Sequence, residues 1–260
     1  MQDGNEKDKV LILGCSFTQG SYAPDPTDTK REIIESSFGW YDKLSYFEDR
    51  QIDVYGCGGC GLTTYASILN QLDKNRTLKE YSSVIIQETS EPRLSLFQKN
   101  HTWNINIPDN PCAQRTLNIT HYSTFANHPH AVFCAHPFAI DWIFAHYDLN
   151  ETSDKYKLDL LLSPTLMDLV DQSKSHIKLL LEKNDISCFV FSLFGAHLSD
   201  PFFQRLPLSP NLYAMVKSID TDCLSGPDLG IKHLSKHFSI RGNEVLGELV
   251  NNAFKELNYV

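Results

Sequence analysis

Two side chains in this sequence have types and settings that suit nucleophilic chemistry. Ser16 stands in GCSFTQG, the run from Gly14 to Gly20, two residues beyond the end of an apolar, strand-like run. A serine there, flanked by Gly14 and Gly20, can offer both its hydroxyl and its backbone N–H at the top of a sheet, a workable nucleophile position. Gly, Ser and Thr after a strand also make ordinary turns, so Ser16 becomes informative only with a partner. A second signal lies near the end of the chain, at His237. It opens HFSIRGN, five residues before Gly242-Asn243, and an amphipathic stretch follows, with Val245, Leu246, Leu249, Val250, Phe254 and Leu257 as its apolar positions. The plainer reading of a lone histidine in that place is that it flanks a terminal helix.

A third stretch, DVYGCGGCGLTT from Asp53 to Thr64, contains a literal GxGxxG (Gly56, Gly58, Gly61) and a literal CxxC (Cys57, Cys60). A dinucleotide loop should follow the first strand and be answered by an acidic residue about 20 positions on. Here the loop follows the second strand-like run, and Glu88 lies 27 residues past Gly61. A structural zinc site would need two more ligands, and the chain holds no second cysteine pair. The flanks also lack a thioredoxin-like setting for a redox pair. In NHPHAVFCAHP the histidines 128, 130 and 136 have no Asp or Glu between them, and Pro129 and Pro137 stiffen the loop, so surface or packed histidines are expected rather than a metal.

The elements that must position these residues follow an α/β rhythm. Short β-branched runs alternate with longer segments of helical period, the pattern of a parallel sheet covered on both faces. Strands are expected at 9–14, 52–56, 82–88 and 186–194, and helices at 38–48, 63–72, 164–183 and 240–257. Ser163 and Pro164 make a good helix start, and Thr63 and Thr64 read as caps of the helix they open. Residues 94–162, with six histidines and two of the three tryptophans, break the rhythm and read as an irregularly packed insertion in a single domain spanning 1–260.

Composition bounds the function. With 42% hydrophobic and 21% charged residues the 260-residue chain describes a globular protein with a sizeable core. A formal net charge of −9 leaves no cationic excess to displace counterions from nucleic acid, so no such partner is expected. The polar start MQDGNEKDKV and the short VLILG run resemble neither a signal peptide nor a membrane span, and a cytoplasmic location is expected. Seven scattered cysteines suit free thiols in a reducing compartment, and the four Asn-x-Thr sequons (Asn75, Asn100, Asn118, Asn150) are then coincidental.

Taken together, GCSFTQG, GGCGLTT, QETSEPR and HFSIRGN, in that order and widely spaced, resemble the four blocks of the SGNH (GDSL-type) hydrolase superfamily. The resemblance implies a flavodoxin-like three-layer α/β/α sandwich with a five-stranded parallel sheet. It implies Ser16 as nucleophile, His237 as general base, and an oxyanion hole formed by the N–H groups of Ser16 and Gly61 with the Ser90 hydroxyl. His233 is the competing register, but Gly242 lies nine residues beyond it rather than five. The glycines of YGCGGCG then let backbone approach a reacting carbonyl closely. Thr18, Glu91 and Arg93 are expected to touch substrate, Arg93 by holding an anionic or sugar group, with a local ion pair between Glu91 and Arg93 as the alternative. Two departures stand out: Ser90 replaces the family's oxyanion Asn, and Leu234 replaces the Asp three residues before the histidine, leaving Asp228, Asp222 or a backbone carbonyl to orient His237, or else a Ser-His dyad. The implied activity is hydrolysis of a carbohydrate or small-molecule ester with no metal or organic cofactor. The alternatives are acyl transfer, or a catalytically weak SGNH-like protein that binds a glycan or protein partner.

Overall fold

The structure of the protein, a computed structural model, describes residues 8–19, 22–24, 33–35, 39–56, 61–88, 93–97, 119–121, 129–136, 139–145, 164–194, 198–219, 238 and 240–257. In chain order its strands are β1 (Lys9–Gly14), β2 (Tyr22–Pro24), β3 (Ile33–Glu35), β4 (Gln51–Gly56), β5 (Tyr81–Glu88), β6 (Arg93–Phe97), β7 (Ile119–His121), β8 (Pro129–His136), β9 (Ala139–Ala145), β10 (Ser187–Ser192) and β11 (Phe203–Arg205). The helices are α1 (Ser16–Gln19), α2 (Leu62–Lys74), α3 (Pro164–Lys183), α4 (Leu212–Ile219) and α5 (Ile240–Leu257).

β1 shows why the sheet forms. Its KVLILG run is apolar on both faces, as a parallel strand buried between helix layers must be. Side chains alternate along it: Leu11 and Leu13 join Tyr65, Leu69, Ile177 and Leu181 under α2 and α3. Val10 and Ile12 join Trp40, Leu44, Val216, Leu246 and Val250 under α4, α5 and two 3-10 turns (Trp40–Lys43, Ser45–Phe47). Two core layers on a central sheet make the expected three-layer α/β/α sandwich.

The sheet order is β11-β10-β5-β1-β4-β7, and all its pairings are parallel. The first five strands of that row, renumbered by their appearance in the chain, read 5-4-3-1-2, which is the flavodoxin-like order. β7, from within residues 94–162, adds a three-residue strand outside β4.

Several elements differ from expectation. Where one helix over 38–48 is expected, the described residues 39–48 form the two 3-10 turns: the Gly39 N–H donates to Asp42 Oδ2 at 2.7 Å, and Leu44, at φ −79° and ψ 60°, interrupts the helical path between the turns. The 94–162 segment is not wholly irregular, since β6, β8 and β9 form a three-stranded antiparallel sheet with β8 in the middle. The alternation of Ile140, Trp142 and Phe144 marked β9 but was masked by the neighbouring Ile143 and the surrounding His and Pro residues. Gly61 caps α2, which begins at Leu62, so neither Thr63 nor Thr64 is the cap. Ser163 lies outside the described residues. The β2–β3 hairpin, β11 and α4 had no counterpart in the sequence reading.

Candidate active site

The strand registers bring the carboxyl ends to one level. Gly14 of β1 lies beside Gly56 of β4, Leu13 beside Ile86 of β5, and Ser192 of β10 beside Glu88 of β5. In this strand order the chain reverses its direction of winding between β1 and β5, and the crevice outside those two carboxyl ends is where such folds place ligands. Ser16, the first residue of α1, lies at that point, and Thr18 N–H closes the turn on Cys15 O at 2.8 Å. The Ser16 side chain is outside the described residues.

A buried polar clamp fixes the loop around Ser16. Gln87, at the end of β5, accepts the Thr18 hydroxyl on Oε1 at 2.6 Å and donates from Nε2 to Cys15 Sγ at 3.4 Å. Trp40 Nε1 donates to Thr18 Oγ1 at 3.1 Å. The residues before and after Ser16 and Phe17 are thus tied to one side chain of the neighbouring strand. Gly14 is needed for this closeness, because a Cβ there would stand 2.0 Å from Thr18 Oγ1. Thr18 itself is fully buried. Its hydroxyl is engaged by Gln87 and Trp40, so it holds the loop in place of making the expected substrate contact. Gln87→Leu removes the acceptor of a buried hydroxyl and is expected to cost about 2 kcal/mol of stability, read as a lowered urea midpoint; an unchanged midpoint would show that the clamp holds nothing.

An aromatic cluster joins the other end of the chain to this loop. The Phe17 ring lies 5.2 Å, centroid to centroid, from that of Phe238, and the Phe238 ring stacks on Tyr213 at 5.5 Å. Phe238 is buried, at 2% exposure. Ser16 and His237 are the chain neighbours of these two touching rings, and consecutive Cα atoms are only about 3.8 Å apart. His237 lies outside the described residues, as do His233, Ser90, Glu91, Asp222 and Asp228. Arg93 opens β6, opposite Cys134 of β8; its side chain is not among those described.

Gly61 is buried and extended (φ −147°, ψ −167°), and its carbonyl accepts the first α2 bond from Tyr65 N at 3.0 Å. The N–H of an N-cap residue lies outside its helix's own bonding pattern. Tyr65 OH donates to Gln87 O at 3.3 Å, which ties the start of α2 to the end of β5 beside the Ser16 loop.

Glu88 was weighed in the sequence only as a nucleotide-binding acid, and its structural role was missed. It is buried, at 2% exposure, and accepts the Leu198 N–H on Oε1 and Arg205 Nη2 on Oε2 at 2.8 Å. Arg205 also donates to Leu198 O at 3.1 Å, so one ion pair pins the 198–205 segment to the end of β5. Burial, with Glu88 nearby, pushes the Cys188 thiol far above its usual range. Cys188 is therefore a structural thiol. Among the described residues no group of His, Cys, Asp and Glu could hold a metal ion, and no helix is long and apolar enough to cross a membrane.

No protein-family model matches the chain, and no curated protein matches it. Two solved structures are similar to it along nearly their whole length. One is the lipase Lip_vut3 from a goat rumen metagenome, at 12% identity and a TM-score of 0.42, covering 94% of this chain and 96% of that one. The other is a putative lipolytic protein of the G-D-S-L family from Desulfitobacterium hafniense DCB-2, at 12% identity and a TM-score of 0.36, covering 95% and 99%.

Proposed function

We propose that this protein is a serine-dependent acyl-ester hydrolase of the SGNH kind. The observation that carries the reading is the Phe17–Phe238 contact at the carboxyl end of β1, since it draws the chain neighbours of Ser16 and His237 together at the fold's ligand crevice. Ser16 Oγ attacks the ester carbonyl while His237 takes its proton, and the carbonyl π electrons move onto oxygen. The resulting oxyanion is held by the N–H groups of Ser16 and Gly61 and by the Ser90 hydroxyl. Collapse expels the alcohol, which takes the proton from His237. Water, deprotonated by the same imidazole, then attacks the acyl-Ser16 ester and releases the acid. In this reading Asp228 orients His237, Arg93 and Glu91 are the residues offered to a carbohydrate or small-molecule alcohol, and no step calls on a cofactor.

The test is covalent. A fluorophosphonate probe is expected to label the protein, with the adduct located on Ser16 by peptide mass spectrometry, and labelling is expected to vanish in Ser16→Ala. A protein that stays unlabelled, or is labelled elsewhere, would move the reading to a binding role for the same crevice.

A further inference from the structure

Four large apolar side chains are exposed among the described residues, and one of them, Phe194, packs on α1. It follows β10 by two residues and is 44% exposed, whereas Phe191 and Leu193 just before it are 1% exposed. Its ring meets Phe17 edge-on at 5.7 Å and lies 4.5 Å from Tyr213, and both of those rings contact Phe238. The backbone beneath it is also held: Tyr213 N–H donates to Leu193 O at 3.2 Å, and Phe194 N–H donates to Ser192 Oγ at 3.3 Å. An aromatic ring half in water yet fixed by rings on one side and backbone bonds below is a preorganised apolar surface. It stands against the residue that follows Ser16.

We propose that Phe194 is the floor of an apolar acyl-chain subsite and favours acyl groups longer than acetyl. The inference rests on the esterase reading above and adds the chemistry of the acyl half of the substrate. A sugar ring stacked on an aromatic platform also needs polar side chains beside the ring to meet its hydroxyls. Among the described residues the rings packed against Phe194 are those of Phe17 and Tyr213, and the ring face that Phe194 leaves exposed is apolar and suits methylenes. Its contact with Phe17 puts this surface one residue from Ser16, within reach of an apolar chain on an ester held there.

The experiment compares p-nitrophenyl acetate, butyrate and octanoate in the wild type, Phe194→Ser and Phe194→Tyr. Each methylene removed from water is worth about fourfold in binding, so losing contact with about two of them should lower the octanoate-to-acetate ratio of kcat/KM about tenfold in Phe194→Ser. Phe194→Tyr keeps the ring and should keep the ratio. A ratio unchanged in Phe194→Ser overturns the proposal while leaving the esterase reading intact. If none of the esters is hydrolysed the esterase reading fails, and octanoate binding by calorimetry then decides the subsite without turnover. Binding weakened about tenfold in Phe194→Ser supports the subsite; equal affinity, or no binding to the wild type, overturns it.

Discussion

Hydrolysis of p-nitrophenyl acetate is expected to fall about a thousandfold or more in Ser16→Ala and in His237→Ala, and hardly further when both are replaced. The reason is that the two side chains perform one act. Without the imidazole the Ser16 hydroxyl keeps its proton, and without the hydroxyl the imidazole has no nucleophile to activate, so either loss removes the same covalent route. What remains is the contribution of oxyanion donors and binding, which neither substitution touches. Initial rates of the three variants beside the wild type, with folding checked by circular dichroism, give the comparison. Losses that multiply in the double variant would mean two independent contributions. Retained activity in His237→Ala would detach the histidine block from the chemistry and leave the Phe17–Phe238 contact a matter of packing alone.

How far the molecule was legible in its sequence depended on whether the forces shaping each part were local. β1 and the bounds of α3 and α5 were readable as they stand, because a doubly buried strand is an unbroken apolar run and a long amphipathic helix keeps one period over many turns. The 3-10 turns at 40–47 were not: the aromatic spacing looked helical, but Trp40, Tyr41 and Phe47 are placed by the layer they fill rather than by a continuous helix. At the site, Ser16 and the glycine run could be singled out from their setting after strands. Gln87 and Glu88 could not, since their partners lie 69 and 117 residues away in Thr18 and Arg205, and nothing local distinguishes a clamp from a strand-end polar residue. Thr18 was misplaced for the same reason: its type suits a substrate contact, and only the packing of Trp40 and Gln87 around it shows that the hydroxyl is already engaged. Phe238 has no chemistry that a sequence would reveal, yet its burial against Phe17 brings residue 238 to the loop after β1.

Gly247→Ala is expected to destabilise the protein by about 3 kcal/mol, although alanine favours a helix by about 1 kcal/mol over glycine at an ordinary position. Gly247 is buried on α5 where that helix crosses the first 3-10 turn, and a Cβ there would stand 2.1 Å from Trp40 O and 2.8 Å from Lys43 Cβ. The nearer atom is backbone, so no rotamer change can relieve the contact and the helix must move back. Such a retreat loosens Leu246 and Val250 against the sheet. It also strains the bonds that fasten α5 to the turns: Tyr46 N–H to Asn251 Oδ1 at 2.8 Å, Asn251 Nδ2 to Ser45 Oγ at 3.1 Å, and the Lys43–Glu244 ion pair at 3.1 Å. A fall in Tm of about 6 °C or more is the expected reading for a chain of this size. The effect reaches the site, because Trp40, whose carbonyl is the one pressed upon, is the residue whose Nε1 holds Thr18 beside Ser16. Ester hydrolysis in Gly247→Ala should therefore drop at temperatures where the variant is still folded by circular dichroism. A raised Tm would mean that helix propensity outweighs the contact with Trp40 and that α5 is free to shift at little cost.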